Sequence, residues 1–229
     1  LDIANTFYNL AEELVELDRE TGDIENFKLN VIRFFSVSTS ITEEDLVRKD
    51  INELANTLYH EAYAAYDRKS EQLIETAMPV LMKIKEDRPE VKNVVMPITE
   101  DKKGMNVLVP LDQIEPGKGK AIVTAIEKSV TLALIDEAWK DHLRQMDSLK
   151  KEVQTASYEQ KDPLLIFKLE AYNLFSTLVS DINRDISSFL MKANIPQREA
   201  SELKTSQGES KTNMDRMQAG RDNSNSVIN

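Results

Sequence analysis

Residues 121–192, AIVTAIEKSVTLALIDEAWKDHLRQMDSLKKEVQTASYEQKDPLLIFKLEAYNLFSTLVSDINRDISSFLMK, decide the fold. In the first half Leu132, Ile135, Trp139, His142, Met146, Leu149 and Val153 recur at steps of three or four, the spacing that stacks side chains on one helix face. Leu164, Phe167, Ala171, Leu174, Leu178, Ile182, Ile186 and Phe189 repeat the pattern in the second half. Asp162-Pro163 ahead of them reads as an N-cap followed by a first-turn proline. Between the halves, Gln154 to Lys161 holds Tyr158 as its only large apolar side chain, which marks a turn at the tip of a helical hairpin. With about 30 residues per arm at about 1.5 Å rise each, the hairpin reaches roughly 45 Å. That exceeds the diameter of most small domains, so the spacing predicts a projecting lever.

Upstream, the pattern stays helical except in one segment. Ile3, Phe7, Leu10, Leu14 and Leu17 predict a helix over 3–20 that ends at Thr21-Gly22. Asp23 caps the next one, carried to residue 35 by Ile24, Phe27, Val31 and Phe35, and the serines from Ser36 to Ser40 break it. Thr42-Glu43-Glu44-Asp45 supplies a hydroxyl cap with acids in the first turn, where they suit the positive end of the helix dipole. A long helix runs from Ile51 to about Lys85, with a kink expected at Pro79. From Glu86 to Lys120, prolines, glycines and two short apolar runs, Val91 to Ile98 and Met105 to Leu111, predict a β-hairpin that must lean on a neighbouring helix. After Ile195-Pro196 the chain turns polar and lacks aromatics, the composition of an unstructured tail.

Composition narrows the function classes. Lys plus Arg number 29 against 40 Asp plus Glu, and a net charge of −11 argues against a broad face for nucleic acid. The chain has no cysteine, which excludes disulfides and thiolate chemistry and favours a reducing compartment. No apolar run approaches the roughly 18 residues that span a bilayer, so any membrane association is peripheral. The chain opens at Leu1 in mid-helix pattern, which reads as a fragment.

The candidate chemistry is thin. Neither GxxxxGK[ST] nor GxGxxG occurs, and Gly117-Lys118-Gly119-Lys120 lacks the strand and helix that a phosphate cradle needs. His60-Glu61 is not HExxH, because position 64 is alanine, and His142 has no second histidine at ligand spacing. No metal site is expected. Trp139 and His142 share their stripe with Ile135 and Met146, so helix packing is the reading for all four. Tyr158 divides evenly between turn packing and contact with a partner, since an exposed tyrosine on a rigid arm is an effective contact residue. Lys150, Lys151 and Lys161 near the tip are nearly balanced by Glu152, Glu159 and Asp162.

These motifs carry a family resemblance. Ala125-Ile126-Glu127-Lys128-Ser129-Val130, Ile135-Asp136-Glu137-Ala138-Trp139-Lys140-Asp141-His142-Leu143, Met146-Asp147 with Leu149, and Tyr158-Glu159-Gln160-Lys161-Asp162-Pro163 closely resemble the C-terminal region of the SecA family. The pattern is LDxxWxxHLxxMDxL followed by GYxQKDP. Upstream, Tyr66-Asp67-Arg68-Lys69-Ser70-Glu71 is similar to the family's YxxKxE scaffold-helix element.

The resemblance implies a mainly α fold: a long antiparallel helical hairpin packed on a scaffold helix and a small helical wing, with a β-hairpin insertion. It divides the chain into part of a helical wing (1–49), a scaffold helix (50–85), the insertion (86–120), the two-helix finger (121–195) and a flexible tail (196–229). It implies that the finger couples nucleotide-driven motion to movement of unfolded preproteins through the SecY channel. Tyr158, with Lys161 beside it, is then the channel and substrate contact, and Trp139, His142, Ile135 and Met146 are scaffold packing residues. ATP and Mg²⁺ are implied for nucleotide-binding domains outside this chain, which itself is not expected to hydrolyse ATP. The implied location is the cytoplasmic face of the plasma membrane, bound peripherally. Two departures stand out: residues 86–120 interrupt a nearly continuous helix of the family, and Ser157 replaces a common glycine. The family's terminal zinc-binding cysteine motif is also missing. Two rivals remain, a non-enzymatic adaptor bundle whose hairpin binds a partner helix, and a metal-dependent hydrolase that would bring His60 and His142 together.

Overall fold

The computed structural model of the chain describes residues 2–100, 103–114, 119–156 and 162–196. The described residues form six helices and one two-stranded antiparallel sheet. The helices are α1 (Ile3–Thr21), α2 (Ile24–Phe35), α3 (Glu43–Arg48), α4 (Ile51–Asp87), α5 (Lys120–Ala156) and α6 (Pro163–Lys192); β1 (Asn93–Glu100) and β2 (Lys103–Pro110) lie between α4 and α5. The fold is mainly α with a β-hairpin, as the residue periodicity predicts.

Local signals set the helix ends. Asp2, Asp23, Asp50 and Asp162 each cap a helix by accepting a backbone N–H, and Gly22 closes α1 at φ 66° in the left-handed region that glycine enters without strain. Thr42 and Asp45 form a reciprocal capping box at α3. Pro79 does not end α4, which runs through it to Asp87. Pro79 and Glu75, whose carbonyl a residue with an N–H would bond there, both lie on the exposed face, so water can satisfy the freed acceptor.

The core starts in α1. Phe7 is fully buried and meets Phe35 of α2 and Tyr66 of α4 edge-on, with centroids 5.5 and 5.3 Å apart. Leu10, Leu14, Leu54 and Leu58 continue the same cluster, which extends through Ile122 and Ile126 of α5 to Phe189 of α6.

The β-hairpin is part of this core. Val94 pairs with Val109, Met96 with Val107 and Ile98 with Met105. Val94, Met96, Ile98, Val107 and Val109 turn inward to the cluster that holds Ile122, Ile126 and Val130 of α5. Its far end is tied to the chain beyond α6. Thr99 and Asn194 exchange two backbone hydrogen bonds of 2.8 Å, while Glu100 accepts from Ser188 and lies 3.8 Å from the Lys192 ammonium. Two strands alone would be marginal; here a helix covers one face and the bridge to Asn194 holds one edge.

One buried charge opposes the fold. Asp18, 5% exposed near the C-terminal end of α1, has a carboxylate oxygen without a partner. Burial first, and then the Asp23 charge, raise its pKa. Between the ordinary carboxylate range and the raised value, the folded state binds more protons than the unfolded one, so stability falls as pH rises through that window. Asp18→Asn is therefore expected to melt above the wild type at pH 7. The two melting curves should converge below about pH 3, where the group is protonated in both states; equal melting temperatures at pH 7 would show that the charge is solvated.

Candidate functional site

The hairpin α5–α6 is the candidate working part, and three contacts fix its base. The Tyr66 hydroxyl of α4 donates to the Glu127 carboxylate of α5 at 2.8 Å, and the Lys69 ammonium donates to the Asn194 side-chain oxygen at 2.7 Å. Two residues of the YxxKxE element thus hold both arms, through residues far away in sequence. Burial, and then the Glu127 carboxylate, push the Tyr66 hydroxyl pKa up, so it stays a neutral donor.

The third contact joins α1 and α2 to α6. The Arg184 guanidinium donates to the Glu13 carboxylate, the Ser180 hydroxyl donates to the same oxygen at 2.7 Å, and the guanidinium carbon lies 6.0 Å from the Phe34 ring centre. Asp181, 3.6 Å away, is its only other ion partner among the described residues. Periodicity shows none of this, because both residues sit on polar stretches of their helices. With both side chains about a third exposed, Glu13→Gln is expected to cost about 1–2 kcal/mol after allowance for solvent screening. A double-mutant cycle with Arg184→Met measures the coupling by thermal melting. No coupling would make the pair a spectator.

Beyond the base the hairpin is thinly covered. No side chain from Pro163 to Thr177 is buried, and the buried positions of α6 begin at Leu178. Leu164, Leu165, Leu169, Tyr172 and Phe175 are all more than half exposed. On α5 the buried line runs through Val130, Leu134, His142, Leu149 and Val153. This corrects the stripe expected from spacing. Leu132 and Trp139 face out, Trp139 at 45% exposure, and Ile135 and Met146 are half-buried. His142, Leu149 and Val153 are buried as the spacing predicts, whereas earlier in the helix the buried positions are Val130 and Leu134 in place of Leu132 and Ile135. Of the four expected packing residues, only His142 is fully buried; its ring touches Trp139 at 5.4 Å and Phe175 at 6.2 Å.

Tyr158 and Lys161 lie outside the described residues. His60 packs against Tyr59 on α4, at 5.2 Å, while His142 sits in the hairpin. Among the described residues no group of three or more His, Asp or Glu is spaced to hold a metal ion. None of the described helices is long and apolar enough to cross a membrane.

A helical unit packed on a long scaffold helix, with a protruding helical hairpin, is the class that this geometry defines. Residues 2–194 match the family model described as the SecA Wing and Scaffold domain, and the chain belongs to that family. It is similar to the protein translocase subunit SecA of Christiangramia forsetii, at 40% identity over 197 residues, 86% of this chain. The protein translocase subunits SecA of Cytophaga hutchinsonii (41% over 200 residues) and Porphyromonas gingivalis (40% over 201 residues) each align with 87% of it. The chain spans 18% of the length of each of these relatives.

Proposed function

We propose that this chain is the mechanical part of a protein-translocating motor. The hairpin α5–α6 works as a two-helix finger, and α4 with the α1–α2 unit transmits to it the movement of nucleotide-binding domains in the longer protein. The observation that carries this reading is the bare outer half of α6, from Pro163 to Thr177, on a helix pair whose base is anchored at Tyr66, Lys69 and Arg184. A stiff arm held at one end and uncovered at the other is a lever.

In this reading the fingertip, with Tyr158 and Lys161, meets the unfolded preprotein at the mouth of a SecY channel, and the protein binds the inner face of the plasma membrane peripherally. The six glycines form no phosphate-binding loop motif. ATP and Mg²⁺ therefore belong to the other domains of the longer protein, and the hairpin's share is transmission. Tyr158→Ser in that longer protein is expected to slow preprotein translocation about ten-fold or more while the melting temperature stays unchanged, because a tip side chain joins no core. Wild-type translocation by the variant would remove the fingertip role.

A second reading has a specific observation in its favour. The exposed apolar side chains Leu164, Leu165, Leu169 and Phe175 on α6 also suit an adaptor that lays a partner helix along the hairpin. Translocation indifferent to Tyr158→Ser but abolished by Leu165→Asp would favour that reading.

A further inference from the structure

We infer that the β-hairpin is a brace across the base of the α5–α6 lever, and that Asn194, just past the end of α6, is the positioning residue that closes it. The consequence for transport rests on the lever reading above.

The two strands touch both arms, each through a different chemistry. Toward α5 the contact is apolar: Val107 and Val109 of β2, with Val94, Met96 and Ile98 of β1, are buried in the cluster that holds Ile122, Ile126 and Val130. Toward α6 it is polar. Glu100 and Lys103 flank the hairpin turn and pair with each other in register. Glu100 accepts from Ser188 at 3.2 Å and lies 3.8 Å from the Lys192 ammonium, while Lys103 faces Asp185. Asp185, Ser188 and Lys192 follow one another at steps of three and four, so one face of α6 meets the turn. The charges are complementary, acid to lysine and lysine to acid.

Asn194 completes the junction with every polar atom it has. Its backbone N–H and C=O exchange 2.8 Å bonds with Thr99 of β1. Its side-chain oxygen accepts from Lys69 of α4 at 2.7 Å, and its side-chain nitrogen donates to the Lys192 carbonyl at 2.9 Å. One residue thus joins α4, β1 and the end of α6. Lys69 is partly desolvated and has no carboxylate partner among the described residues, so the Asn194 oxygen is its one acceptor there.

Apolar contact is non-directional and lets packed elements slide, whereas hydrogen bonds of fixed direction set angle and register. The lever needs that restraint at its base, because no side chain of α6 is buried from Pro163 to Thr177. Residues 88–119 separate α4 from α5, so α4 does not run on into the arm as one helix. The brace supplies that link from the other side. Asn194 is itself exposed and adds nothing to the core, so its loss changes how the elements are held and leaves them folded.

Spin labels at Glu75→Cys on α4 and Ser148→Cys toward the far end of α5, both exposed, report the lever angle in a chain with no cysteine of its own. A narrow distance distribution is expected for this labelled parent, and a broader one once Asn194→Ala is added. Thr99→Pro should broaden it too. The Thr99 N–H is given to Asn194, and β1 already carries Pro97 two residues earlier, so the β1–β2 ladder survives. Asn194→Asp keeps an acceptor for Lys69 and should restore the narrow distribution. All three variants should keep the parent's far-UV circular dichroism. An unchanged distribution with either Asn194→Ala or Thr99→Pro would overturn the inference.

In the longer protein, Asn194→Ala is expected to cut the preprotein moved per ATP about five-fold or more while hydrolysis continues, the scale set by losing one charge-assisted hydrogen bond. A merely structural residue would lower both activities together with the melting temperature. Thr99→Cys with Asn194→Cys separates a brace from a latch. The two positions face each other as a hydrogen-bonded antiparallel pair, a separation that a disulfide can span. With all other cysteines replaced, the oxidised pair should translocate as the wild type does and the reduced pair as Asn194→Ala does. Loss of translocation on oxidation would mean that the bridge has to open, which overturns a brace. Slow translocation by Tyr158→Ser beside wild-type coupling in Asn194→Ala would sink the brace and leave the lever. Broadened distances with translocation indifferent to both variants would remove the lever while the brace stands.

Discussion

Phe7→Ala is expected to lower the melting temperature by roughly 10 °C, as a loss of about 3–5 kcal/mol in a chain of this size implies. The ring is fully buried and is the point where α1, α2 and α4 meet, edge-on to both Phe35 and Tyr66. Truncation forfeits the transfer of the ring from water and leaves a cavity. Neither Phe35 nor Tyr66 can collapse into it easily. Phe35 ends its helix, and the Tyr66 hydroxyl is held by Glu127. The same substitution should loosen the Tyr66–Glu127 contact, so faster amide exchange at the start of α5 is a second readout. A loss below about 1 kcal/mol would show that the site relaxes freely.

Val109→Asp is expected to cost about 4 kcal/mol or more, whereas Leu108→Asp, one residue away, stays within about 0.5 kcal/mol. Val109 is fully buried beneath α5, and Leu108 is 50% exposed on the opposite face. Successive strand residues point to opposite sides of the sheet, so neighbouring positions live in different solvents. The aspartate at 109 would enter a cluster of Ile122, Ile126 and Val94 without a counter-ion. Freed from α5, the two strands would lose their support, and the Thr99–Asn194 bridge would open with them. Thermal melts of the two variants decide it; equal losses would mean that the hairpin does not dock through this face.

Helix positions and ends were legible from residue spacing because they depend on local chemistry. Asp162-Pro163, Thr42 with Asp45, and Gly22 each satisfy or release backbone groups within a turn, and the structure places a helix boundary at all three. The β-hairpin was readable for the same reason, from the change of period between Glu86 and Lys120. Which face of the first half of α5 is buried was not. Leu132, Ile135 and Trp139 match the helical period as well as Val130, Leu134 and Ala138 do, and apolar side chains occupy both lines. Only the position of α6 and β2 selects between them. Pro79 lies inside α4, at an exposed position where water can reach the carbonyl it frees.

By itself, then, the order of residues determined six helices, a two-stranded insertion, a hairpin too long for a compact core and a family resemblance specific enough to be recognised, since each rests on neighbours within a few turns of chain. The tertiary structure alone decided that Tyr66 meets Glu127, that Arg184 reaches Glu13 and that His142 is buried against Trp139 and Phe175. Those pairs lie 61 and 171 residues apart along the chain. A polar side chain carries no periodic mark of its distant partner, and burial, which sets the strength of each contact, exists only once the helices have packed.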